Sequence, residues 1–203
     1  MEARAVTDLP LRERKKLRTA RELQAAALAL FAEHGFDHVT TDDIAAAAEV
    51  SKTTFYRYFS SKEEVLLGNP EADLELVRAA LHDRPRDESP LDSVRNAILG
   101  LADAIEHDRD TALAKGHLTR ATSSLKARYL EQLSAFEQVV AGFIAERRGV
   151  DPRSDLAARV LGAHTMTALR VAVEVWLDRD GEPDLLDLVR RALAMMAEDP
   201  GSA

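Results

Sequence analysis

The sequence predicts an all-α protein. Apolar residues recur at helical spacing along nearly the whole chain, alanine and leucine dominate, and no stretch alternates polar and apolar beyond a few residues. At 203 residues the chain can form one large domain or two small ones, each with its own core. It contains no cysteine, which excludes disulfides and thiolate metal sites. The opening "MEARAVTDLPLRERKK" lacks a signal-like apolar stretch, and no apolar run is expected to approach a membrane span. A cytoplasmic protein without a membrane partner is the resulting expectation.

Residues 1–10 read as a disordered tail, followed by a first domain over 11–67. Leu23, Ala27, Leu30 and Phe31 form one helical stripe, which Gly35 ends. Next comes "VTTDDIAAAAEVSKTTFYRYFSSKEEVLLG", which holds three N-cap candidates. Thr40 followed by Asp43 is a capping-box pattern, Ser61 followed by Glu64 is a stronger one, and Ser51 lies between them. These caps predict short helices over about 41–48, 52–59 and 62–68. None would be stable alone, so together they form a motif.

Beyond Gly68-Asn69-Pro70 the segments lengthen and their apolar stripes widen, predicting a second domain over 68–203. Helices are expected at 71–82, 90–107, 111–122, 124–147, 153–179 and 183–197. Pro90, Pro152 and Pro183 stand where first helical turns would begin. "HDRPRDESP" and "RRGVDPRSD" read as loops.

The formal net charge of −8 argues against a protein that coats nucleic acid without specificity. The charge is unevenly spread. Residues 1–64 hold ten Lys/Arg against eleven Asp/Glu, and the remainder seventeen against twenty-four. Bases bunch at Arg12, Arg14, Lys15, Lys16, Arg18 and Arg21, then at Lys52, Arg57 and Lys62. Such bunching steers a polyanion even against an unfavourable net charge.

Segments 41–48 and 52–59, joined by a tight turn, fit a helix-turn-helix. Ile44, Ala48, Phe55 and Phe59 are spaced to pack against the 23–31 stripe. That leaves Lys52, Thr53, Thr54, Tyr56, Arg57 and Tyr58 wholly or partly outward, and residues 50–62 contain no acid. Threonine offers a hydroxyl and a methyl to base edges, while lysine and arginine reach guanine or phosphate. Tyrosine hydroxyls donate to phosphate oxygens and fix register.

The run from Ala20 to Leu67, "ARELQAAALALFAEHGFDHVTTDDIAAAAEVSKTTFYRYFSSKEEVLL", resembles the DNA-binding domain of the TetR family of tetracycline-repressor-like bacterial regulators. "LFAEHGF" is similar to the end of that family's first helix and "TTDDIAAAAEVS" to its second helix and turn. "KTTFYRYF" is similar to its recognition helix and "SKEEVL" to the start of its fourth. Glu49 departs from the pattern, since many members carry glycine there.

The resemblance implies that Lys52, Thr53 and Thr54 face base edges, that Tyr56 and Tyr58 grip the backbone, and that Arg57 serves either purpose. It places Thr41 and Lys62 at phosphates, beside helix N-termini that already favour an anion. The run Arg12–Arg18, expected ahead of the first helix, reads equally as a DNA-reaching arm or as a solvated charge run. The family further implies a homodimeric repressor on a palindromic double-stranded operator, with effector binding and dimerisation in the second domain.

The last two predicted helices carry more apolar residues than one buried stripe needs, among them Leu156, Val160, Leu161, Val171, Trp176, Leu188, Val189 and Met196. A homodimer through residues 153–197 is the expectation, reading two half-sites. The effector site is expected within about 90–170, with His117, Arg120, Tyr129, Phe136, His164 and Arg170 as candidates beside Leu101, Leu118, Leu133, Val140, Phe143 and Met166. Each histidine also reads as a surface or satisfied core residue, and Phe136 as ordinary core. The effector itself is expected to be small and mostly apolar, with an acidic or acyl group met by Arg120 or Arg170.

No HExxH, Gly-rich phosphate loop, GxSxG elbow or cysteine nucleophile is present, so no metal, cofactor or catalysis is expected. Two rivals stand beside the regulator. One is a helix-turn-helix module without an effector, and the other a helical protein whose "SKTTFYRYF" face binds another protein.

Overall fold

The computed structural model describes residues 10–195. The expected disordered tail (Pro10 apart), Met196 and the end of the last predicted helix lie outside them. Among the described residues the protein is all-α, ten α-helices and no strand, in two compact units that part between Asn69 and Pro70.

The first unit holds α1 (Leu11–His34), a 3-10 turn (Phe36–His38), α2 (Thr41–Ala47), α3 (Lys52–Tyr58) and α4 (Lys62–Leu67). Because α1 begins at Leu11, the basic run Arg12–Arg18 forms its first turns and does not precede it. Arginine and lysine are good helix formers, so nothing in that run delays the helix. Gly35, at φ 80°, closes α1 in a conformation that favours glycine, and its N–H donates to the Phe31 carbonyl at 3.0 Å.

Leu23, Ala27 and Phe31 of α1 bury themselves against Ile44 and Ala45 of α2, Phe55 of α3, and Val65 and Leu66 of α4. Ala48 and Phe59, expected in this core, are only half-buried. Both are C-capping residues just past the ends of α2 and α3, so they have left the helical stripe, and Ala45 takes the deeper place. Gln24 Nε2 ties α1 to α4 by donating to the Val65 carbonyl at 2.9 Å.

All three short helices are N-capped at the predicted residues, but only Thr40–Asp43 closes a capping box; at Ser61 the Glu64 carboxylate takes the Ser60 N–H instead of that of the cap. The Asp43 N–H donates to Thr40 Oγ1 at 3.2 Å, and the Thr40 N–H donates to the Asp43 carboxylate at 2.8 Å, closing a capping box. The Thr40 hydroxyl, which donates to the same carboxylate at 2.6 Å, and after it the Thr40 N–H hold the Asp43 carboxyl below the usual range. Ser51 accepts from the Thr54 N–H at 3.1 Å and Ser61 from the Glu64 N–H at 3.2 Å. The buried Glu64 carboxylate reaches the Ser60 N–H at 2.5 Å and Asn69 Nδ2 at 2.8 Å, bracing both ends of α4. Each such cap contributes about 1 kcal/mol to helices too short to persist alone.

The second unit holds α5 (Pro70–His82), α6 (Pro90–His107), α7 (Arg109–Ala121), α8 (Ser123–Arg148), α9 (Leu156–Asp178) and α10 (Leu185–Ala194). α8 and α9 form its central pair, with α10 laid across α9 and α6, and α5 and α7 flanking α8. Pro90 follows the Ser89 N-cap as predicted, whereas Pro152 and Pro183 lie outside helices. Aspartates supply the caps there: Asp155 accepts from the Ala158 N–H at 2.6 Å and Asp184 from the Asp187 N–H at 3.1 Å. A carboxylate satisfies an orphan helix N–H, which proline cannot do.

Against expectation, one helix among the described residues is by length and composition apolar enough to cross a membrane, namely α9. Its inner face, including Ala158, Leu169, Ala172 and Trp176, is buried in the core of this unit. The indole N–H of Trp176 has no acceptor there, and such an unpaired donor costs about 1–3 kcal/mol. In α10, Leu185, Leu188, Val189 and Leu193 are buried within the unit, Leu186 is half-buried and Met195 just past its end is exposed, while α9 carries the exposed Leu156, Val160 and Val171.

α8 and α9 meet at Gly162, where an added Cβ would stand 2.8 Å from the Glu137 carbonyl oxygen and 3.0 Å from the Ala141 nitrogen. The connection between α5 and α6 is locked from two sides. Arg147 lies over the Phe143 ring at 5.1 Å and donates to the carbonyls of Arg84, Pro85 and Arg86 at 3.2, 3.0 and 3.0 Å. Glu88 accepts from Arg84 Nε at 2.9 Å, Ser93 Oγ at 2.9 Å and Asn96 Nδ2 at 2.7 Å. The Arg84 bond, with help from Asn96 and Ser93, holds the Glu88 carboxyl down at about 2.

Two predictions concern this unit. Gly162→Ala is expected to destabilise it by about 1–3 kcal/mol, since backbone atoms cannot give way. Gly142→Ala in α8, where an added Cβ meets nothing within 4 Å, is expected to stabilise it by up to about 1 kcal/mol. Urea titrations of both variants check the pair of signs. The depressed carboxyl of Glu88 contributes stability above the ordinary carboxylate pKa and loses it as pH falls towards about 2. Melting temperatures between pH 5 and pH 2 should therefore fall less steeply in Glu88→Gln than in the unaltered protein.

Candidate functional site

The α2–α3 turn spans residues 48–51. Glu49 sits there at φ 54°, the left-handed region, and the Val50 N–H returns to the Ala45 carbonyl at 2.9 Å. The turn demands this conformation, which explains glycine as the better residue: a Cβ there costs about 1–2 kcal/mol. The turn aims α3 so that Phe55 is buried while Lys52, Thr53, Tyr56 and Arg57 are exposed. Thr54 and Tyr58 are half-buried, and the Arg57 guanidinium lies over the Tyr58 ring at 5.3 Å.

The predicted residues thus come together on one face, each held differently. Tyr56, with 49 % of its surface exposed, has its hydroxyl 3.0 Å from Thr41 Oγ1. This joins the start of α2 to the middle of α3. Thr54 Oγ1 lies 2.9 Å from Ser51 Oγ, within the helix cap. Lys52 Nζ stands 2.9 Å from Asp42, whose carboxylate raises the lysine pKa. Thr53 and Arg57 project beside this pair.

Lys62 is placed differently from the expectation of a lysine offered to phosphate. Its Nζ donates to the carbonyls of Phe36 at 2.7 Å and Val39 at 2.9 Å, and lies 4.4 Å from the centre of the Phe36 ring. Two of its three N–H donors are spent inside the unit, because the 3-10 turn leaves those carbonyls without helical partners. Asp42 is the residue that local reading missed. Residues 50–62 carry no acid, yet the acid arrives from α2 ten positions earlier. Thr40-Thr41-Asp42-Asp43 held the signal: Asp43 is consumed by the cap and Asp42 is left outward.

In the second unit a cavity of about 410 Å³ opens among α5, α6, α8 and α9, within the range of small-molecule sites. Leu81, Ile98, Phe136, Val140, Met166 and Leu169 line its depth, while Leu76, Gly100 and Leu101 stand at exposed positions on its wall. Its polar residues are Arg84 and Asn96, both bonded to Glu88. A shallower groove of about 680 Å³ between α5 and α8 is lined partly by Arg78, His82, Gln138 and Glu146.

Of the effector candidates, only Phe136 lines the apolar cavity. His117 and Arg120 are exposed on α7, 3.3 Å from Asp180 and 2.6 Å from Asp178, and so bind α7 to the end of α9. Arg170 pairs with Glu174 at 2.8 Å, one turn along α9. His164 is exposed on the outer side of α9, and Tyr129, whose phenol pKa is raised by burial, packs beside the core. His117, Arg120 and Arg170 are paired with acids near the surface instead of facing this cavity. Of the polar residues present, Arg84 falls in a segment that reads as a loop, and Asn96 lies within the helix expected over 90–107, at a position between its apolar residues. His34 and His38 stand four residues apart but on either side of the end of α1, and no group of three or more metal-ligating side chains occurs among the described residues.

Comparison with known proteins agrees with this division. The family model described as bacterial regulatory proteins, tetR family, matches residues 23–68, and that described as MftR C-terminal domain matches residues 88–200. The HTH-type transcriptional regulator TcmR of Streptomyces glaucescens is 39 % identical over 172 residues, covering 82 % of this chain and 76 % of that protein. Among solved structures, FadR of Thermus thermophilus, a TetR-family repressor in complex with lauroyl-CoA, superposes with a TM-score of 0.58 at 22 % identity. That match covers 91 % of this chain and 99 % of FadR. The fatty acid degradation regulator FadR of Bacillus halodurans gives 0.63 at 19 % identity, covering 90 % and 96 %. At such identities the structures speak for the fold, whereas the TcmR match and the C-terminal model, spanning more than half of the chain, speak for kinship. The chain belongs to the TetR family of helix-turn-helix, DNA-binding transcriptional regulators.

Proposed function

We propose that the protein is a repressor that occupies a palindromic operator as a homodimer and leaves it when a small apolar molecule enters the cavity of the second unit. The observation that carries the DNA half is the outward face of α3. Thr53 and Arg57 are free to meet base edges, with Lys52 available once a phosphate or guanine replaces Asp42. Tyr56 and Thr41, already bonded to each other, are placed as a paired hydroxyl grip on one phosphate strand. Thr54 and Tyr58 support that face from half-buried positions, and Lys62 supplies its one remaining donor at the start of α4.

The dimer reading rests on the outer face of α9. Leu156, Val160 and Val171 are 75 %, 40 % and 41 % exposed, and helical geometry places all three within about 60° of one another around the axis. His164 and Thr167 share that stripe. An apolar stripe so placed on a helix that is already packed on its inner side fits the same stripe of a second copy. The effector reading rests on the cavity, and repression is supported by FadR, which is named a repressor. The same reading makes the protein a soluble cytoplasmic regulator without catalytic activity.

Footprinting on fragments of the source genome at two salt concentrations tests the proposal. A protected, near-palindromic site is expected, and a dimer that neutralises about 6–10 phosphates should lose about 10³–10⁵ in affinity between 50 and 200 mM salt. Complete absence of protection by ligand-free protein would overturn it. Asp42 offers a sharper test. Asp42→Asn leaves Lys52 without its acid, so affinity for random duplex should rise and the log–log salt slope steepen by about 0.9, which measures one added phosphate contact.

A further inference from the structure

The cavity presents an apolar interior whose one cation is already cancelled. Arg84 is held by Glu88 through Nε at 2.9 Å and Nη2 at 2.5 Å, so the pair adds no net charge to the wall. Asn96 and Ser93 also donate to Glu88, which keeps that carboxylate in place from two further sides. Asn96 spends its amide nitrogen in doing so. Asn96 stands at an exposed position, so its Oδ1, with no donor among the described residues, remains as an acceptor at the mouth of the cavity.

A ligand carboxylate or phosphate entering here would leave water for a wall with no free positive charge. The N–H groups of Arg84 that Glu88 leaves unused can still donate to it, but their charge is already neutralised by Glu88, a carboxylate that accepts four hydrogen bonds, so the desolvation cost of the anion is not offset. A neutral molecule meets no such cost, and a single hydroxyl or amide on it can donate to Asn96. We infer that the effector of this protein is an uncharged, largely apolar molecule carrying one hydrogen-bond donor, and that the Arg84–Glu88 pair excludes anionic analogues of the same shape. The inference rests on the cavity being the effector site, and it separates this chain from a relative of like fold that holds an acyl-CoA, an anionic ligand.

Two probes of equal length, 1-decanol and decanoate, test it by calorimetry at pH 7 on the full chain. Gly100→Phe reports location: Gly100 stands at an exposed position on the cavity wall, and an added Cβ there meets nothing within 4 Å, so the ring obstructs the mouth without disturbing the backbone. Decanol is expected to bind at least about tenfold more tightly than decanoate, a difference of about 1.4 kcal/mol, with Gly100→Phe abolishing its binding. Glu88→Gln, which frees the Arg84 charge, should narrow or invert the ratio. Decanoate binding as tightly as decanol, with Gly100→Phe abolishing both, would overturn the inference while leaving the cavity as the effector site. Binding of neither probe, or binding unaffected by Gly100→Phe, would overturn the cavity reading and the inference with it.

Discussion

The DNA-facing half of this protein depends on one constraint: its α2, α3 and α4 have seven, seven and six residues, too short to persist without tertiary support. The support is the buried stripe Leu23, Ala27 and Phe31 of α1, against which Ile44, Phe55 and Val65 each place one large side chain. Every outward feature of α3 follows from that burial. With Phe55 fixed inward, the helical period leaves Lys52, Thr53, Tyr56 and Arg57 no choice but to face out. The N-caps then decide where each helix starts, and so which of its residues occupy the first, anion-attracting turn.

Electrostatics refine what packing has placed. The ligand-free α3 face is less basic than its sequence suggests, because Asp42 covers Lys52 and the Lys62 ammonium is drawn inward by two carbonyls. If Lys52 meets DNA as proposed, this arrangement would limit attraction to DNA in general and favour duplexes whose contacts offset breaking the Asp42–Lys52 pair. The exposed pair is weak enough for that exchange, since such ion pairs are worth well under the energy of a bidentate base contact.

Legibility tracked periodicity and local capping. The three N-caps, the stripe of α1 and the buried Phe55 were readable because each is written within four or five residues of itself. The departure at Glu49 was readable too, and its φ of 54° gives the reason glycine suits that turn. Pairings between elements were not readable. Asp42 meets Lys52, Arg120 meets Asp178 and Arg147 meets the Arg84 carbonyl only because folding brings distant segments together. The cavity was invisible for the same reason, since a void is a relation among four helices and has no residue type of its own.

α9 joins these themes, since its two faces meet different surroundings. Met166 and Leu169 line the cavity from the inner face, while Thr167 and Val171 lie on the outer stripe one or two positions further on. The helix cannot absorb a push on one face by deforming locally, because Gly162 seats it against the backbone of α8 and Trp176 anchors its far end in the core. A ligand that wedges between α6 and α9 must therefore tilt or slide α9 as a rod. If the outer stripe is where two copies meet, that rotation changes the angle between protomers. Two recognition helices must match successive major grooves at a fixed spacing, so a small change of that angle is enough to lose the operator. On this argument no relay of side chains is needed between cavity and DNA: one stiff helix with a ligand on one side and a partner on the other suffices.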